Sequence, residues 1–121
     1  MGAADMTVTL PWPPSVNHYW QRNKNGGMRI GAAGLAFRER VAQTLPRQPP
    51  MTGPLTVQIE AWAPDRRKRD LDNILKATLD ALTHAGAIED DSQVWDLRIY
   101  WASENGQKLL GGAINVWVIP Q

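Results

Sequence analysis

Residues 55–84, LTVQIEAWAPDRRKRDLDNILKATLDALTH, decide how this chain folds. Leu55, Val57, Ile59 and Ala61 alternate with Thr56, Gln58, Glu60 and Trp62, the period of two that marks a strand with one buried face. Pro64 and the charges behind it end that pattern. From Leu71 the apolar positions follow helical spacing instead, with Leu71, Ile74, Leu75, Thr78 and Leu82 forming one stripe. This predicts a helix over 71–84, with Asp70 as N-cap and Gly86 placed to stop it. A second alternating run follows at Val94–Trp101, where Trp95, Leu97, Ile99 and Trp101 oppose Val94, Asp96, Arg98 and Tyr100.

Outward from this center the punctuation is dense. Residues 1–5 read as a loose leader, and Met6, Val8 and Leu10 as one face of a strand that Pro11, Pro13 and Pro14 close. Ser15–Gly31 is polar and contains Gly26-Gly27, so it reads as a loop. Its cations Arg22, Lys24 and Arg29 could meet a phosphate backbone or simply be solvated. Ala32–Leu45 reads as a helix with Leu35, Val41 and Leu45 inward and Arg38 and Glu39 outward. Asn105-Gly106 signals a hairpin, Leu109–Ile119 its returning strand, and Gly111-Gly112 a bulge or close contact. The order is β-α-β-α-β-β. The expected architecture is an α/β chain of the α+β type: a single two-layer domain over 1–121, with two helices on a mixed sheet.

Composition removes several function classes. A chain of 121 residues has room for one core. Net charge is +1, so any attraction for nucleic acid must be local, and Arg66–Arg69 is the one dense basic run. The absence of cysteine excludes disulfides, zinc–thiolate sites and thiol nucleophiles. No P-loop or G-x-G-x-x-G suggests a nucleotide cofactor, and His18 and His84 are isolated. Without a long apolar run, the chain is expected to be cytoplasmic with no membrane partner. The six tryptophans are expected in the core or at a subunit interface, with base stacking as the minority reading.

The chemistry concentrates where Arg66, Arg67, Lys68 and Arg69 run into Asp70 and Asp72, with Lys76 one turn further on. Glu89-Asp90-Asp91 forms a second acidic step about one helix downstream. Cations hold phosphates and carboxylates hold a hard divalent metal, so the combination points to a metal-dependent phosphodiesterase. Each residue also has a plainer reading. Asp70 can be a cap, Lys76 can pair with Asp72, and the acidic step can be a solvated turn. Asp91, in the turn after the predicted helix, would have to return toward the helix start. The chain permits this, without requiring it, if the following strand begins beside the strand that ends at Trp62. A non-catalytic DNA-binding module using loop 66–69 and exposed tryptophans is the rival class, and a metal-binding regulatory domain a third.

Three segments taken together, LPWPPSVNHYW (10–20), PDRRKRDLDNILKATLDAL (64–82) and EDDSQV (89–94), resemble the RusA family of Holliday junction resolvases over roughly Leu10 to Arg98. The resemblance implies a small, often prophage-encoded homodimer that uses Mg²⁺, with Mn²⁺ as a substitute, to cut four-way DNA junctions symmetrically in recombination and repair. It implies Asp70, Asp72 and Asp91 as catalytic, metal-holding carboxylates, Lys76 as the functional lysine and Asp90 in a supporting role. Paired incisions also require two sites, and this chain carries one acidic cluster, so a two-fold dimer is the physical expectation. Trp95, Leu97, Ile99 and Trp101, with Val94 and Tyr100, supply apolar area for it.

Overall fold

A computed structural model describes residues 5–102 and 111–121. The elements in chain order are β1 (Met6–Pro11), α1 (Val16–Tyr19), β2 (Trp20–Arg22), β3 (Met28–Ile30), α2 (Ala32–Thr44), β4 (Leu55–Trp62), α3 (Asp72–His84), a 3-10 turn (Asp91–Gln93), β5 (Val94–Trp101) and β6 (Ala113–Pro120). Four strands form a mixed sheet in the order β1-β6-β4-β5. β6 runs antiparallel to both β1 and β4, whereas β5 runs parallel to β4. The α+β architecture expected from the sequence is therefore present, with the one-turn α1 added to the two long helices.

Alternation sets which face is covered. Leu55, Val57, Ile59 and Ala61 of β4, Ile114, Val116 and Val118 of β6, and Met6, Val8 and Leu10 of β1 are buried on one face. Against it pack Phe37 and Val41 of α2 and Ile74, Ala77, Ala81 and Leu82 of α3. The opposite face carries a polar row in which Thr9 donates to Asn115 (2.7 Å) and Asn115 donates to Glu60 (3.0 Å). One helix layer on one sheet face is what a chain this short can build.

The structure corrects four expectations. Segment 15–31 is not a continuous loop, because Trp20–Arg22 and Met28–Ile30 pair as an antiparallel hairpin. Arg22, Lys24 and Arg29 stay exposed on it, and Arg29 donates to Asn23 and Gln21. Helix α2 buries Gly34, Phe37 and Val41, leaving Leu35 56% exposed, so its inward face is rotated from the one read off the leucines. Gly34 is the reason: a Cβ there would sit 2.9 Å from the Tyr19 carbonyl oxygen and 2.7 Å from Ile30, so α2 presses its bare backbone onto that turn. β6 does not pair with β5. It inserts between β1 and β4, where its alternating Ile114, Val116 and Val118 are covered. The Asn105-Gly106 turn lies outside the described residues. Finally, none of the six tryptophans is a fully buried core residue: Trp95 is 72% and Trp101 39% exposed, and the others are half-buried, with Trp12 and Trp20 packed against the edge of the core.

Candidate functional site

β1, β4 and β5 share one direction, so their C-terminal ends lie together at one end of the sheet, which is also where α3 begins. The segment between β4 and α3 crosses that end. Asp65 organizes it by accepting from the Arg67 amide (2.9 Å) and from Arg69 Nη1 (2.7 Å), with Arg67 Nε at 3.5 Å. The Arg69 guanidinium, with the Arg67 amide second, holds the Asp65 carboxyl well below the usual carboxylate range. Arg69 also donates to the Arg67 carbonyl (3.3 Å) and lies 5.8 Å from the Trp12 ring center. Arg69 is thus held inside the loop, while Arg66, Arg67 and Lys68 remain exposed. The loop closes against Gly112, just before β6, where φ is +71° and a Cβ would sit 2.9 Å from the Pro64 nitrogen. This is the close contact that the glycine pair predicted.

Asp70 does not cap α3. The helix starts one residue later, with Leu71 at the N-cap and no side-chain cap bond, and Asp70 contributes only its carbonyl, to the Asn73 amide. The carboxylates of Asp70 and Asp72 are exposed and accept no hydrogen bond among the described residues. Lys76 is exposed one turn on. The three ion pairs among the described residues are Arg38–Asp80, Arg67–Asp65 and Arg69–Asp65, so the plain Asp72–Lys76 pair is not formed. The start of α3 therefore presents two open carboxylates and a lysine beside an exposed basic loop.

Asp91 lies at the other end. Because β5 is parallel to β4, Val94 sits opposite Leu55, the first residue of β4, and the chain reaches that point only after running the length of α3. Thirteen helical residues span roughly 20 Å, and the eight residues of β4 span roughly 26 Å at about 3.3 Å each. Asp91 is exposed at the head of a 3-10 turn. Asp90 caps that turn by accepting from Ser92, which lowers its pKa. Gln93 pins the turn, accepting from the Glu89 and Asp90 amides and donating to the Met51 and Gly53 carbonyls at 2.9 and 3.0 Å. Among the described residues no three of His, Cys, Asp and Glu come together to hold a metal. Asp70, Asp72 and Asp91 thus do not meet within one chain.

Two further groups carry little or no signature in the sequence. Trp12 stacks on Trp101 with ring centers 6.0 Å apart and planes 9° from parallel, joining the Pro-rich segment to the end of β5. Two turns further along α3 than Asp72, Asp80 accepts from Arg38 Nε (2.9 Å) and Nη2 (2.7 Å) and from the Tyr19 hydroxyl. Burial, followed by the Asp80 hydrogen bond, pushes the Tyr19 hydroxyl up to about 12. The only sequence signal for this cluster is the 72-76-80 spacing, which places Asp80 in line with Asp72 and Lys76.

Residues 11–115 match the family described as Endodeoxyribonuclease RusA. The chain is 46% identical over 96 residues to a crossover junction endodeoxyribonuclease RusA of Escherichia coli K12, which covers 77% of this chain and 79% of that protein. It is 47% identical over 95 residues to the corresponding protein of Enterobacteria phage 82, with 76% and 78% covered. The Shigella sonnei protein is 46% identical over 96 residues. The matched range contains the basic loop, the start of α3 and the turn at Asp91, and the chain belongs to the RusA family of endodeoxyribonucleases.

Proposed function

We propose that this enzyme resolves four-way DNA junctions as a two-fold dimer, using Mg²⁺ held by Asp70 and Asp72 of one chain and the partner's Asp91. The observation behind this reading is the pair of carboxylates at the start of α3, without a partner among the described residues and beside three exposed cations. The third carboxylate lies beyond the other end of a helix roughly 20 Å long. Two carboxylates with water suit a hard octahedral cation, and a divalent metal requirement goes with the family. Mn²⁺ is expected to substitute.

A second copy can close the gap. Among the described residues β5 is an edge strand, with a row of backbone groups that none of them pairs, and it exposes Trp95 and Leu97. Antiparallel pairing of β5 with its copy across a two-fold axis sets the start of one β5 beside the end of the other. The partner's Asp91 then approaches the Arg66–Asp72 segment, and the dimer holds two such sites related by symmetry. That is the arrangement paired incisions need.

Within each site the chain's own groups divide the work. Arg66, Arg67 and Lys68 hold the phosphates that flank the cut. Asp70, Asp72 and the partner's Asp91 keep their carboxylates open for metal and its water. When bound, the metal supplies charge neutralization at the phosphate and a more acidic water. Lys76 places a positive charge where negative charge grows on the phosphate oxygens. Asp90 and Gln93 hold the turn that presents Asp91. The setting is expected to be cytoplasmic, and among the described residues no helix is long and apolar enough to cross a membrane.

Complementation tests the split site directly. Asp70→Asn and Asp91→Asn chains should each fail to nick a synthetic four-way junction in Mg²⁺. Mixed and re-equilibrated, they should form dimers with one intact site, which nick one strand but do not make the paired cut. EDTA should abolish that recovery. No recovery from dimers shown to have exchanged chains would return all three carboxylates to one chain. Tight junction binding by the wild type with no metal-dependent cutting would instead favor the non-catalytic module.

A further inference from the structure

Trp101 has one ring face occupied by Trp12, yet the residue remains 39% exposed. Its exposed part lines a shallow cleft of about 350 Å³ whose other walls include Arg66, Arg67, Lys68, Arg69 and Asp70. An indole left open would ordinarily be half of an interface or solvated surface. Here it borders the densest group of cations in the chain, and it is held in place from behind. Trp12 fixes the ring from one side, and Arg69 in turn rests on Trp12 at 5.8 Å while tied to Asp65. The order along this assembly is salt bridge, guanidinium, indole, indole, cleft.

We propose that the open side of Trp101 is a stacking site for one unpaired nucleobase of the strand whose phosphates the basic run holds. The proposal rests on the reading of this chain as an enzyme of branched DNA and adds a base contact to it. Cations along a strand's backbone combined with an aromatic plane for its bases are the two components of single-strand recognition, and the plane takes any base because every base has a π-face. Stacking is interrupted at the exchange point of a four-way junction, so a base can leave its neighbors there at low cost. The ring needs little ordering on binding because Trp12 already restrains it, which favors affinity. Leu35, 56% exposed on α2, is absent from the cleft and from the proposed dimer strand and serves as the control. The paired-strand dimer leaves Trp95 and Leu97 for the subunit interface and assigns Trp101 to DNA.

The test uses the full chain with four-way junctions that carry 2-aminopurine at one position at a time around the exchange point, in EDTA so that nothing is cut. Wild type should change the fluorescence strongly at one or two positions. Trp101→Ala should lose that change and bind the junction about 5- to 150-fold more weakly, the equivalent of removing one base stack. The slope of binding against salt should not move, because every phosphate keeps its cation. Trp101→Phe should keep most of the signal. Trp101→Leu, which fills the space against Trp12 without a π-face, should behave like Ala while remaining folded by circular dichroism. Leu35→Ala should keep the signal. An unchanged 2-aminopurine response in folded Trp101→Leu would overturn the proposal. So would a shift of that variant from dimer to monomer mass, which would make Trp101 an interface residue. If wild type does not bind the junction at all, the resolvase reading fails instead. The same variants on a 2-aminopurine single strand then decide whether Trp101 stacks.

Discussion

Asp72 and Asp80 lie on the same side of the same helix, two turns apart, and the chain treats them in opposite ways. Asp80 accepts two bonds from Arg38 and one from Tyr19, and it ties α1, α2 and α3 into one body. Asp72 accepts none among the described residues, and neither does its neighbor Asp70. A carboxylate that serves the fold is surrounded by donors, because burying it uncompensated would be costly. A carboxylate left bare beside a basic loop does nothing visible for the fold. The contrast separates a half of α3 that is tied into the fold from a half whose carboxylates stay open, as the proposed metal site requires.

The largest expected effect lies in the open half. Asp70→Asn, Asp72→Asn or Asp91→Asn should reduce junction cleavage beyond the roughly 10- to 100-fold attached to a metal's outer-shell partners. Melting temperature should stay near wild type, and junction binding should hold or tighten. Lys76→Ala should cost about 10²–10³ in rate, with a smaller effect on binding. Near-normal cutting by any one of these variants removes that residue from the site.

Asp80→Asn inverts the pattern. It leaves Arg38 without its counter-charge in a site where the two side chains are only 18% and 27% exposed. A loss of about 1–3 kcal/mol follows, which appears as a drop of roughly 4–8 °C in Tm for each kcal/mol. Cleavage per folded molecule should change little. A stable variant with abolished cleavage would erase the distinction between the two halves of the helix.

Replacing Arg66, Arg67 and Lys68 together with Gln should act on binding rather than on chemistry or folding. The dependence of log K on log salt should flatten by about 0.9 for each phosphate that is no longer neutralized. An unchanged slope would move the DNA surface to Arg22, Lys24 and Arg29 on the β2–β3 hairpin. The smallest effect is alkaline. Tyr19 in the folded chain ionizes only near about 12, against 10.0 for an unperturbed tyrosine. The stabilization this represents is complete below pH 10 and disappears as pH rises through 12. Tyr19→Phe should therefore lose less stability than wild type in urea melts between pH 10 and 12, and parallel losses would clear Tyr19 of that role.

The parts of the fold that are legible in the sequence are those written in local periodicity. β4 and β5 begin and end where alternation begins and ends, and α3 starts one residue after the predicted stripe. The inward face of α2 is hidden because it is built around Gly34, and an absent side chain leaves no hydrophobic signal. The β2–β3 hairpin is three residues a side with polar positions on both faces, too short for alternation to register. Insertion of β6 between β1 and β4 depends on pairings more than 50 residues apart, which no local window contains. Residue types suggest the chemistry proposed for the site, but its geometry stays hidden. Whether Asp91 joins Asp70 turns on the direction of one strand pairing, and parallel and antiparallel strands share the same alternating pattern.

That parallel pairing of β4 with β5 also bears on how the enzyme behaves as its abundance changes. On the split-site proposal, a lone chain carries DNA-binding cations but only part of a cutting center. Below the dimer's dissociation constant, the number of complete centers falls with the square of protein concentration, while simple DNA binding falls only in proportion. Diluting the enzyme at fixed junction concentration should therefore silence cutting sooner than binding. A nuclease built this way is nearly harmless when scarce, and the direction of one strand is enough to make it so.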